Sequence, residues 1–250
     1  MLVTLITFGL LSAQADNDPY RKLMREYLTQ PKTSFTELKI IQKRDSAQAS
    51  KASAPVRYTF GAMVVVAIDK GAINPMPGTI GTFYARQASE VLKKSELKLS
   101  PSYCYVVARL GQLRLKITDT EVEAAKMYYE AKHDGPSSYL YADVLLHGPN
   151  PKIRASGLAY ALEAQMKQGD NLLNRWQVGG GYFARAEYTN DKAMYKAAIE
   201  SYNRALEIAK ETMHIELLKQ SKQLAVRRLN GEPPMKDPPG NSKGNRRKGG

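Results

Sequence analysis

The sequence predicts an all-α fold in which about ten to eleven helices pair into hairpins that stack as a solenoid, followed by a disordered C-terminal tail. Three observations carry this. Almost every segment after Asp16 spaces its apolar residues at helical rather than alternating intervals. The breaks between segments hold helix-start chemistry, an acceptor side chain followed by proline, as in Asp18-Pro19, Ser100-Pro101 and Asn150-Pro151. The helices also arrive in pairs at a spacing of roughly 30 to 40 residues, which points to internal repeats.

Taken in order, Asp18-Pro19 opens a helix through about Thr29, and Ser34 to Glu37 reads as a capping box for the second. The small polar stretch Ser46 to Ala54 is a loop or a frayed end. Pro55 then starts an apolar helix whose Val64-Val65-Val66 run has no second strand to pair with, so helix is preferred to strand. Gly71 to Gly78 is turn chemistry, and a helix from about Thr79 to Lys94 follows. Ser100-Pro101 begins a helix to about Lys116, and Thr120 to Glu123 is a second capping box for a helix that stops at Gly135-Pro136. Further helices span Ser137 to His147, Pro151 to Lys167, a stretch around Trp176 interrupted at Gly179-Gly180-Gly181, Asp191 to about Glu211, and His214 to Leu229.

Composition narrows the functional classes. The 250 residues carry 37 Lys+Arg against 24 Asp+Glu, a net charge of +13 at 43% hydrophobic content, which suits a globular chain. Met1 to Ala15 joins an apolar run, Leu2 to Leu11, to an Ala13-Gln14-Ala15 cleavage pattern, and reads as an export signal that lacks a basic n-region; the alternatives are an uncleaved anchor or a buried first helix. Residues 16–230 would then form the helical repeat domain and 231–250 a disordered basic tail, too rich in Pro and Gly to offset its ordering entropy. Lys236, Lys243, Arg246, Arg247 and Lys248 against Asp237 give the tail +4, leaving +9 on the rest. Such a tail attracts polyanions, with Lys243, Arg246, Arg247 and Lys248 as the contacts, but it has no interleaved aromatics for base stacking.

Signs of catalysis or of a cofactor are missing from the sequence. The single Cys104, flanked by Tyr103 and Tyr105, reads as a core thiol, and one cysteine cannot build a disulfide framework. No phosphate-binding glycine loop, H-E-x-x-H or G-x-S-x-G occurs, and Gly179 to Gly181 reads as a hinge or a close helix contact. His133, His147 and His214 fall near helix ends, where a cation suits the dipole or marks a junction.

One internal pattern stands out. Ala198, Tyr202 and Ala205 are spaced as Ala124, Tyr128 and Ala131 are, with a fainter copy at Ala88, Leu92 and Ser95; Leu110-Gly111 and Ala186 lie where the preceding helix of each pair needs a large residue before a tiny one, or a small one. This resembles the tetratricopeptide repeat, in which small residues let two helices approach and an aromatic fills the hole beside them. The likeness is clearest over Asp191 to Lys210 and Pro101 to Pro136, and departs from the consensus in lacking its Trp and first Tyr.

The resemblance implies a right-handed superhelix whose concave groove, lined by the first helix of each pair, binds a protein or peptide partner without cofactor or catalysis. Carried onto this sequence it points to Tyr105, Gln112, Leu115, Lys116, Asp143, His147, Phe183 and Glu187 as groove residues; Ala108 and Gln112 occupy the places where some relatives clamp a carboxylate with Lys and Asn. The expected function is therefore an exported, periplasmic or secreted, binding scaffold of the cell envelope. The alternative is a cytosolic or membrane-attached adaptor that uses its basic tail on nucleic acid or anionic lipid.

Overall fold

The computed structural model describes residues 18–76, 78–113 and 117–233. They form eleven α-helices with no strand among them: α1 Arg21–Thr29, α2 Glu37–Gln48, α3 Ala54–Asp69, α4 Ile80–Val91, α5 Pro101–Leu113, α6 Asp119–Lys132, α7 Gly135–Leu146, α8 Pro151–Gln168, α9 Leu172–Thr189, α10 Lys192–Ile208 and α11 Thr212–Leu229. The all-α, solenoid-like expectation is met. The N-terminal apolar segment and the basic tail lie outside the described residues.

Several helix starts differ from the sequence reading, each for a local reason. Ser34 closes a 3-10 turn, Lys32–Ser34, and burial of Phe35 passes the capping role to Thr36, whose hydroxyl accepts from the Lys39 N–H at 3.4 Å. The second capping box sits at Thr118 rather than Thr120: buried Glu121 reaches back to accept the Thr118 N–H at 2.8 Å. Pro136 does not end α6 but opens α7. His133 takes the left-handed conformation at φ 48°, closing α6, and Asp134 then caps α7 by accepting from the Ser137 N–H at 2.8 Å.

The α4 helix stops at Val91, and a 3-10 turn over Lys94–Leu99 follows. Glu96 pins this turn by pairing with Arg57 and accepting from the Tyr103 hydroxyl at 2.7 Å. The Ala88, Leu92, Ser95 copy is therefore not a continuous helical face. The other two copies keep their rings inside, with Tyr128 at 1% and Tyr202 at 4% exposure, although Ala131 is exposed.

Packing has a simple order. From α2 onward each helix packs on the next, and the odd-numbered helices also pack on one another in a row, α1–α3–α5–α7–α9–α11, whereas even helices beyond α4 meet mainly through side chains. A row held closer than its opposite is the inside of a curve, so the odd helices form the inner wall. The core is continuous from α1 to α7, built on α3, whose residues from Phe60 to Asp69 are all buried; a smaller cluster joins α9, α10 and α11. Burying each Val, Leu or Ile contributes about 1.5 to 3 kcal/mol. The single Cys104 lies inside this core, its thiol donating to the Leu97 carbonyl at 3.0 Å, and burial pushes its pKa up to about 12.

The predicted interruption at Gly179-Gly180-Gly181 is absent, and α9 runs straight through. Two of these glycines are there for close approach. A Cβ on Gly179 would stand 2.5 Å from the Tyr202 ring of α10, and one on Gly181 would stand 2.9 Å from the Leu158 Cα of α8, whereas one on Gly180 would meet nothing nearer than Leu146 Cδ1 at 3.8 Å. Gly111 plays the same part between α5 and α6, where a Cβ would lie 2.5 Å from Glu121 Cγ.

Two predictions follow from this packing. Gly181→Ala must push α8 and α9 apart and should lower stability by about 1 to 3 kcal/mol, whereas Gly180→Ala should be neutral or stabilising by about 0.5 to 1 kcal/mol, both read from urea unfolding. The second concerns the tyrosines. Burial raises the pKa of Tyr27 and Tyr141 to about 12, and a phenol whose folded pKa is raised stabilises the fold below its unfolded value near 10, a contribution lost as pH climbs through the folded value. Absorbance at 295 nm should show the buried tyrosines ionising only together with loss of helical circular dichroism.

Candidate interaction groove

In the middle of the inner wall, helices α3, α5 and α7 are apolar and carry few charges, so each buried charge there has to be paired. Arg109 is the only charged residue of α5, Asp143 the only one of α7, and Asp69 ends α3. They meet in one chain. Arg109 donates from one terminal nitrogen to Asp69 Oδ1 at 2.8 Å and from the other to Gln112 Oε1 at 3.0 Å. The Gln112 amide in turn donates to Asp143 Oδ2 at 2.5 Å, bridging α5 to α7. His147, at the C-terminal cap of α7, has Nδ1 at 2.9 Å from the Asp143 main-chain oxygen and 3.8 Å from its carboxylate. One helix further on, Gln177 of α9 donates to the Tyr139 carbonyl of α7 at 3.0 Å.

Exposure rises steeply along this strip, from Asp69 to His147. The Asp69 side chain is 5% exposed and that of Arg109 14%, while Asp143 reaches 26% and His147 62%. Burial works against the charged form of Arg109, but the facing Asp69 carboxylate, with Tyr105 and Asp143 behind it, more than offsets that and holds the guanidinium pKa above its usual value. Burial also raises the Tyr139 pKa, and the nearby Asp143 adds to the shift. The strip therefore presents a fixed carboxylate and an imidazole to solvent, braced from beneath by a buried ion pair.

The predicted groove residues divide accordingly. Gln112, Asp143 and His147 come together on the inner wall. Tyr105 does not line a surface: it is 2% exposed, its ring 5.3 Å from that of Tyr128. Glu187 and Phe183 are occupied in packing α9 against its successors. Glu187 accepts from the Tyr195 hydroxyl of α10 at 2.6 Å and pairs with Arg228 of α11 at 3.1 Å, and the Phe183 ring stands 5.9 Å from that of Tyr195. Leu115, Lys116 and the tail residues Lys243, Arg246, Arg247 and Lys248 lie outside the described residues.

Sequence reasoning missed Arg109, Asp69, Tyr139 and Gln177. A usable signal was present for Arg109: the lone charge of an otherwise apolar helix must find an opposite partner or stay unburied.

On the outer side, a cleft of about 180 Å³ opens where α8 and α10 splay apart over α9, with Gln165, Val178, Tyr182 and Ser201 in its lining. Its cations are already engaged, Arg175 with Asp170 and the Arg204 carbonyl, and Arg204 with Glu200. Among the described residues no group of three or more His, Cys, Asp or Glu side chains could hold a metal ion, and no helix is long and apolar enough to cross a membrane.

The brace generates a prediction. Arg109→Ala strands Asp69 in the core and should cost about 3 to 5 kcal/mol, more than Gln112→Ala, which removes one half-exposed bridge worth about 1 kcal/mol; chemical denaturation of the two variants separates these values.

Comparison with family models, with curated proteins and with solved structures gives no match for this chain.

Proposed function

We propose that this protein is a non-catalytic binding scaffold of the tetratricopeptide-like kind, which takes an extended segment of a protein partner along its inner wall. The observation that carries this reading is the Gln112–Asp143 bridge, which locks polar groups of two adjacent inner helices into one strip beside the exposed His147. A strip fixed in advance loses little conformational freedom on binding, which favours recognition by a few anchors. Asp143 accepts hydrogen bonds, so main-chain N–H groups or basic side chains of the partner are its natural complement, and the apolar helix surface beside it suits an intervening aliphatic side chain.

The site of action we propose is the cell envelope, reached through the export signal in residues 1–15, with the mature chain beginning at Asp16. The basic tail then adds a weak, salt-sensitive contact with polyanions.

A photo-crosslinking residue in place of His147, in cells making the otherwise intact protein, should trap one discrete adduct in the envelope fraction. An Asp143→Ala change in the same chain should reduce that adduct at least fivefold. An adduct indifferent to Asp143 would sink the groove reading, and an uncut chain found only in the cytosol would sink the envelope reading.

A further inference from the structure

The positive charge of the folded part is not shared evenly. Residues 18–113 hold 15 Lys+Arg against 7 Asp+Glu, a net +8, whereas residues 117–233 hold 15 against 15. Several cations of the first half have no partner. Lys32, Lys39, Lys43 and Arg86 are exposed, and none forms an ion pair among the described residues. The acids of α2 and α4 leave them free: Glu37 accepts from the Tyr84 hydroxyl at 3.3 Å, Asp45 pairs with Arg44 at 2.8 Å, and Glu90 lies in the last turn of α4.

The same two helices carry large apolar side chains that the fold leaves uncovered. Leu38 is 65% exposed, Met76 58%, Phe83 47% and Ile80 39%. Leu38 and Phe83 each stand two residues from a buried one, Ile40 and Gly81, hence about 160° round their helices from the core. The Tyr84 to Glu37 bond sets the first turn of α2 beside α4, and Ile80 lies one turn before Tyr84 on that flank. Met76 is held next to them, because the Thr79 hydroxyl donates to the Asn74 and Met76 carbonyls at 2.6 Å and folds that turn onto the start of α4.

Unpaired cations around protruding apolar groups select an anionic lipid surface. Each Lys or Arg near an anionic leaflet adds to binding. A nucleic acid would engage the cations but leave Leu38, Met76 and Ile80 in water, since only Phe83 of the four can stack on a base. These side chains also stand out from the outer row of helices rather than lining a groove, a shape that a bilayer interface accepts and that a folded protein would need a matching hollow to receive.

We propose that the outer face of α2 and α4 docks on an anionic bilayer. Leu38, Met76, Ile80 and Phe83 enter the headgroup boundary, while Lys32, Lys39, Lys43 and Arg86 meet lipid phosphates. The inner wall, carried by the odd helices, stays open to a protein partner.

Flotation of the full chain with lipid vesicles tests this. Vesicles containing phosphatidylglycerol should carry the protein, pure phosphatidylcholine should carry at least about tenfold less, and raising salt to about 0.5 M should release it. Lys39→Ala and Arg86→Ala should each lower partitioning about 3- to 5-fold and Phe83→Gln about 5- to 20-fold, at unchanged helical circular dichroism. The same losses should appear in a chain whose tail residues Lys243, Arg246, Arg247 and Lys248 are replaced by alanine. A Phe83→Trp chain bound to brominated phosphatidylglycerol should lose part of its added indole emission, whereas the unsubstituted chain, whose single Trp176 lies on α9, should not. Vesicle binding without that quenching overturns the proposal, whether residues 1–15, the tail or another face makes the contact. So does equal binding to neutral vesicles, or a chain that binds an RNA oligonucleotide or an acidic protein and ignores vesicles.

Discussion

Where the helices of this protein cross, the limiting dimension is the space available for a single Cβ. A methyl group on Gly111, Gly179 or Gly181 would enter the van der Waals sphere of Glu121, Tyr202 or Leu158, and one on Gly157 would stand 2.8 Å from Leu146 Cγ. These four crossings link α5 to α6, α7 to α8, α8 to α9 and α9 to α10. Once backbones are that near, dispersion contacts accumulate along both helices and the angle between them has little freedom. The Tyr128 and Tyr202 rings fill the space that the small residues leave. The row of odd helices, and with it the curvature of the stack, follows from these contacts.

Close packing then dictates the electrostatics. Helices α3, α5 and α7 are too apolar to tolerate isolated charges, so Asp69, Arg109 and Asp143 form one connected chain, with Gln112 as the link. The same rule acts on the outer side, where Tyr129 donates to Glu163 at 2.9 Å and Lys167 reaches the His133 carbonyl at 2.6 Å, tying α6 to α8. It acts again at α9 to α11 through Glu187. A residue that looks available for binding from its sequence position is often already spent on such a tie, as Glu187 and Phe183 are.

Helix number, most boundaries and the location of the small and aromatic residues were legible because they depend on local rules: acceptor plus proline at a start, glycine or a left-handed residue at a stop, and a repeating apolar interval. Pro136 was misread because proline serves equally after one helix and inside the first turn of the next, and His133 had already ended α6. Gly179 to Gly181 looked like a break because glycine weakens an isolated helix by about 1 kcal/mol each, yet Tyr202 and Leu158 sit where only glycine fits. For the candidate site, one turn of the inner wall was legible, Gln112 to Asp143 to His147. Tyr105 was placed on the wrong side of its helix, because α5 is buried on nearly every face and periodicity has little to say about such a helix.

The carboxylate of Asp18 holds two helix starts at once, accepting the Tyr20 N–H at 3.0 Å and the Ser102 N–H at 2.8 Å. The beginning of the described chain is thereby tied to the first turn of α5, and the intervening helices are closed into a loop fastened at its base. Whatever precedes this aspartate, be it a leader, a protease scar or a purification handle, is joined within a few bonds of a half-buried acceptor. An added label is therefore better tolerated at the other end of the molecule than next to Asp18.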